Sequence, residues 1–192
     1  NEYNIIQTAQ TNSSNFKANP TDENYKILKS SADKLKTLKL KVPKLTGEID
    51  FYFQQYQSMK EAKTNLENLE KNHDYLKFPQ LMKTLALTDA NLQELTVNVK
   101  DLHKKIDTTS SKLSKEYNII VEAEGNLQAL KKDPQGAFKK FQQSQKDLAS
   151  VKTFNVDDLK KEMNNALNEY NIIQTAQTNS SNFKANPTDE NY

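Results

Sequence analysis

The chain has 192 residues, with 27 lysines against 25 acidic residues, no arginine, no cysteine and a net charge of +2. That length can bury a core without metal or disulfide support. Lack of cysteine excludes thiolate chemistry, and lack of arginine's bidentate fork argues against specific reading of nucleic acid. Mean hydropathy is −0.89, with only three Gly and five Pro to interrupt a helix-former's composition. No apolar run approaches the roughly 20 residues of a membrane span, so no membrane insertion is expected, and Asn1 opens no signal peptide.

Residues 1–25, NEYNIIQTAQTNSSNFKANPTDENY, return unchanged as 168–192, which gives a period of 167 (168 minus 1). Such identity is the signature of a tandem array of near-identical copies. A diverged repeat lies inside the period. The spacing of Tyr3, Ala9 and Asn12 recurs at Tyr56, Ala62, Asn65 and at Tyr117, Ala123, Asn126, so that successive tyrosines at 3, 56, 117 and 170 stand 53, 61 and 53 residues apart. The reading is three degenerate modules per period.

Each module predicts two helices. Helix A runs through the tyrosine for about 28 residues, or roughly 42 Å. Its upstream stripe is Leu45, Ile49, Tyr52, then Ile106, Ser110, Leu113, then Leu159, Met163, Ala166, spaced four and three apart as one helical face requires. Helix B starts at Asn19-Pro20 and Asp133-Pro134, each a capping side chain followed by proline at the first helical position, and at Pro79 in the middle module. B stripes are Leu28, Leu35, Leu38, Val42 and Phe138, Phe141, Leu148, Val151, ending near Pro43 and the Asn155-Val156-Asp157 cap signal. In the middle module Leu85, Leu92, Val99, Ile106, Leu113, Ile120 and Leu127 keep seven-residue spacing. Two readings stand there: one unbroken helix from about Pro79 to Lys131, or a break at Asp107–Ser111, whose residues favour caps and turns.

The expected fold is therefore all-α, an elongated array of antiparallel helical hairpins or three-helix-type bundles with heptad-like packing and a possible long shared helix. Residues 1–25 read as the tail of a preceding repeat, 26–131 as a first helical bundle region and 132–192 as a second, ending in the start of the next repeat. Residue 1 falls about twelve residues into its helix A, and the chain stops before the B helix that should follow Tyr192. Ile6, Phe16, Ile173 and Phe183 are accordingly expected to be less covered than their interior counterparts.

Chemistry-bearing motifs are sparse. His73 and His103 have no nucleophile or His-x3-His partner, the glycines do not cluster, and Asp157-Asp158 reads as a helix-start pair favoured by the dipole. No catalytic, cofactor-binding or metal site is expected, and no enzyme. Lys26, Lys29, Lys34, Lys36, Lys39, Lys41 and Lys44, opposed only by Asp33, could meet an anionic partner or simply form a solvated face. Tyr52, Phe53 and Tyr56 make the densest aromatic cluster and the best candidate for protein contact. Asn12-Ser13-Ser14 is a glycosylation acceptor pattern.

In its heptads, helix lengths and repetition the chain resembles spectrin-like helical-bundle arrays. Its cysteine-free, Lys- and Asn-rich near-identical repeats are similar to stalk regions of bacterial surface adhesins. That resemblance implies a structural spacer at the cell surface, projecting other domains and touching adjacent copies of the same repeat. The alternatives are a repeated binding module for a host or matrix protein, with avidity from copy number, and an intracellular cytoskeletal cross-linker.

Overall fold

A computed structural model describes residues 1–187. Among them lie seven helices and no strand: α1 (Glu2–Ala18), α2 (Asp22–Lys36), α3 (Pro43–Glu70), α4 (Phe78–Gln93), α5 (Lys100–Lys132), α6 (Pro134–Leu148) and α7 (Asp157–Ala185). The even-numbered helices are the B helices, of 15 or 16 residues, and α3 and α7 are full A helices of 28 and 29. Helix accounts for 82% of the described residues.

The chain forms two compact units, Asn1–Asn72 with Leu76–Ser111, and His73–Tyr75 with the residues from Lys112 on. The division falls within α5. In the first unit α1, α2 and α3 pack together, and α3 and α4 form a hairpin that meets the first turns of α5 through Glu70 to Lys105 and Asp89 to His103. In the second unit α5, α6 and α7 pack through Asn126 to Ser144, Lys131 to Glu162 and Gln145 to Asn164.

The predicted stripes supply the cores. Leu28, Leu35, Ile49, Tyr52 and Tyr56 line the first unit, and Ile120, Leu127, Phe141, Leu148, Leu159 and Met163 the second. Full burial of such a side chain stabilises by about 1.5–3 kcal/mol. The module alanines Ala9, Ala62 and Ala123 are fully buried, each 0% exposed. Phe16, expected to be less covered, is also 0% exposed, because Tyr25 of α2 and Tyr52 and Tyr56 of α3 close over it. Every buried side-chain N or O among the described residues has a hydrogen-bond partner.

Three sequence expectations are corrected. The heptad from Leu85 to Leu127 does not mark one helix, because the chain leaves the helix between Gln93 and Lys100. Thr96, Val97 and Val99 are β-branched, Asn98 turns its amide oxygen onto the Lys100 N–H at 3.3 Å, and Gln55 captures the loop's own N–H groups. The break at Asp107–Ser111 does not occur either. Thr108 returns its hydroxyl to the Lys104 carbonyl at 2.8 Å and Thr109 reaches Glu70, so these residues remain helical. Finally, Asn19-Pro20 does not cap α2. Asn19 closes α1, and Thr21 is the N-cap, accepting from the Asn24 N–H at 3.1 Å. Asp133 does cap α6, accepting from Gly136 N–H at 3.0 Å.

Candidate functional site

The feature that recurs with side-chain precision is a clasp between helix A and the loop after its own helix B. The residue just before each module tyrosine makes it. Glu2 accepts from the N–H groups of Lys39 and Leu40 at 2.9 and 3.2 Å. Gln55 accepts from Thr96 and Val97 at 3.0 and 3.1 Å. Glu116 accepts from Lys152 and Thr153 at 3.2 and 2.8 Å. These loop amides have no helical partner, so a side-chain acceptor replaces the lost ladder. Glu2 and Glu116 reach the same distance along the chain, 37 residues to Lys39 and to Thr153, whereas the longer middle module requires 41 from Gln55 to Thr96.

A second link joins two of the three loops to an earlier segment of the chain. Asn98 donates its backbone N–H to the Lys17 carbonyl at 2.9 Å and its side-chain amide to Ala18 at 3.1 Å, both at the end of α1. Asn155 donates its N–H to the His73 carbonyl at 2.8 Å, just beyond α3, and His73 Nδ1 lies 2.7 Å from the Thr153 carbonyl. Both asparagines also accept from the N–H two residues on, at Lys100 and Asp157, which starts the next helix A. The sequences Thr96-Val97-Asn98-Val99 and Thr153-Phe154-Asn155-Val156 are counterparts, each followed by a helix with Asp then Leu at its second and third positions. The Glu/Gln-Tyr pairs and this loop motif were both visible as internal repeats, but a search keyed on apolar stripes passes over them.

Aromatic pairs register B against the following A. Tyr25 on α2 stacks on Tyr56 of α3 at 4.2 Å and 15°, and Phe138 on α6 stacks on Tyr170 of α7 at 3.8 Å and 9°. The Tyr56 hydroxyl donates to Asp22 in the first turn of α2. Burial first, and then that bond, pushes the Tyr56 hydroxyl up to about 12, while the bond holds the Asp22 carboxyl below its usual range. Of the aromatic cluster proposed for protein contact, Tyr52 and Tyr56 are therefore inside the α1–α2–α3 core, each 4% exposed, and Phe53 is half-buried against Tyr25. Only the neighbouring Phe51, 48% exposed, presents a ring broadly to solvent.

All seven lysines from Lys26 to Lys44 are exposed. Lys26, Lys29 and Lys34 line a shallow depression on α2 with Ser30, Asp33 and Thr37. Lys36 pairs with Asp33 at 3.1 Å, and Lys41 Nζ donates to the Leu38 carbonyl, so the patch is not a single converging set of cations. Asn12 of the glycosylation pattern donates its side-chain amide to Ser31 at 2.8 Å.

One titratable cluster escaped the sequence reading. His103 Nδ1 stands 2.8 Å from Asp89 Oδ1 on α4, and Nε2 stands 3.7 Å from Asp107 Oδ2 one turn on along α5. The three ligand-type atoms lie within 4.8 Å of one another. The arrangement suits an imidazolium donating Nδ1–H to Asp89, with the Asp107 carboxylate close enough to add charge attraction on the Nε2 side. The bond to Asp89, then its charge, raises the His103 pKa above the ordinary value. No helix among the described residues is long and apolar enough to cross a membrane. No protein-family model, curated protein or solved structure matches the chain.

Proposed function

We propose that the chain is one unit of a helical spacer array in a large surface protein of the adhesin type, elongated and serving to extend other domains. The observation that supports this best is the recurrence of one clasp at Glu2, Gln55 and Glu116, with Glu169-Tyr170 at the same phase of the next module. A clasp that ties each of three loops to its own helix A, with Asn98 and Asn155 tying two of those loops to earlier segments of the chain, suits a repeated unit built to hold its shape under load. Near-identity of copies suits a part selected for length. The cell-surface setting follows from the resemblance to adhesin stalks, and the partners it implies are adjacent copies of the repeat.

The test compares chains of one and two 167-residue periods by thermal unfolding and X-ray scattering. Coupled units give a higher melting temperature for two periods than for one, and a radius of gyration well above the roughly 16 Å of a compact body of this length. Equal melting temperatures, or a radius near the compact value, would remove the coupled spacer reading.

A further inference from the structure

The cluster of Asp89, His103 and Asp107 is no part of the repeated pattern. His103 and Asp107 stand fourteen and ten residues before Tyr117, and the same positions before Tyr56 and Tyr170 hold Val42 with Thr46 and Val156 with Lys160. The middle module alone carries ligand-type side chains there. All three residues lie in the first compact unit, and the side chains of Asp89, His103 and Asp107 are 17%, 37% and 65% exposed, so a solute can reach them.

A carboxylate only accepts, so the 2.8 Å contact with Asp89 places a proton on His103 Nδ1 and leaves Nε2 of the neutral ring with a bare lone pair. That lone pair stands 3.7 Å from Asp107 Oδ2, which is also an acceptor. Two acceptors attract only through a cation between them, and 3.7 Å is too long for a good hydrogen bond. It is close to the roughly 3.4 Å that separates an imidazole nitrogen from a carboxylate oxygen on one tetrahedral zinc ion, given metal–ligand distances of about 2.0–2.2 Å. A small turn of the exposed Asp107 side chain closes the difference. Residues i and i+4 share one face of a helix, so α5 itself holds the two ligands side by side.

We propose that His103 Nε2 and the Asp107 carboxylate form a binding site for a divalent transition-metal ion of the zinc type, with Asp89 holding the imidazole in the tautomer that binding requires. A histidine that ligates a metal through one nitrogen almost always donates its other N–H to such a partner, which fixes the ring and raises the basicity of the ligating nitrogen. Imidazole suits zinc, copper and nickel, whereas magnesium and calcium take oxygen ligands. Two protein ligands leave the other positions to water, so the site is open to exchange. The inference is independent of the spacer reading, since all three residues belong to one unit of one chain.

Isothermal titration of the full chain with zinc chloride, followed by NMR of the histidine rings, tests it. The wild type should take up one zinc ion, with the His103 ring signals moving and those of His73 staying in place. Asp107→Asn and His103→Gln should each bind at least about tenfold more weakly, and Asp89→Asn, which alters no ligand of the ion, should lose about tenfold. His73→Gln should bind as the wild type does, and magnesium chloride should leave the His103 signals unmoved. Wild-type affinity in Asp107→Asn overturns the proposal, and because Asp107 is exposed that variant decides it even if His103→Gln fails to fold. Zinc-induced shifts confined to His73, or equal binding of magnesium, overturn it too. Full affinity in Asp89→Asn overturns the part given to Asp89.

Discussion

Replacing Gln55 tests whether the clasp holds the fold or merely decorates it. Its side chain is 3% exposed, its Oε1 accepts from Thr96 and Val97 N–H at 3.0 and 3.1 Å, and its Nε2 donates to Thr96 Oγ1 at 3.0 Å. Val97 is itself buried, so its N–H, left without an acceptor, costs about 1–3 kcal/mol. Thr96 is exposed and can turn to water, so its bond counts at the ordinary net value of about 0.5–1.5 kcal/mol. Gln55→Met keeps the methylenes and should lose about 1.5–4.5 kcal/mol. Gln55→Ala also forfeits the buried γ-methylene and should lose about 0.8 kcal/mol more. Urea unfolding followed by circular dichroism gives the totals, and amide hydrogen exchange locates them, with protection lost first at Thr96 and Val97. A loss under about 0.5 kcal/mol for Gln55→Met, the range of an ordinary surface change, would refute the clasp as a stabilising element.

His103 supplies a pH dependence. Its pKa is raised in the folded chain, so its contribution is fully present below the unfolded value near 6.5 and is lost as pH rises through the folded value. Urea midpoints of wild type and Asp89→Asn should therefore differ below that window and converge above it, and a difference independent of pH would refute the pairing. Tyr56 and Tyr75 are both pushed up to about 12, by burial first and then by bonds to Asp22 and Glu124. Phenolate absorbance on alkaline titration should show a late component that shrinks in Tyr56→Phe and again in Tyr75→Phe, and a single component at the ordinary value would contradict this geometry.

Periodicity made the helices legible, since the stripes at Leu45-Ile49-Tyr52 and Leu159-Met163-Ala166 are the buried faces of α3 and α7. Periodicity failed where seven-residue spacing ran through a loop. Six of the seven heptad positions from Leu85 to Leu127 are buried, yet Val99 sits outside any helix, because spacing records which residues face a core and not whether the backbone between them is helical. The Asn98 turn and the Gln55 clasp decided that break, and both are polar contacts between positions distant in sequence. His103 stayed hidden for the same reason: Asp107 is one turn away on α5, but Asp89 belongs to another helix.

The choice of acceptor in the clasp follows its burial. Glu2 and Glu116 are half-buried and keep their carboxylates, which give shorter and stronger bonds to N–H donors than a neutral group would. At Gln55 the longer middle module folds its loop over the acceptor and leaves it 3% exposed. An ionised carboxylate there would forfeit its hydration with no cation paired to it, a cost of several kcal/mol that two amide donors do not offset. A neutral amide accepts the same two bonds and adds a donor that Thr96 Oγ1 accepts. The three modules thus reach one backbone arrangement with different chemistry, and what the repeat maintains is the pairing of the loop amides rather than the residue that performs it.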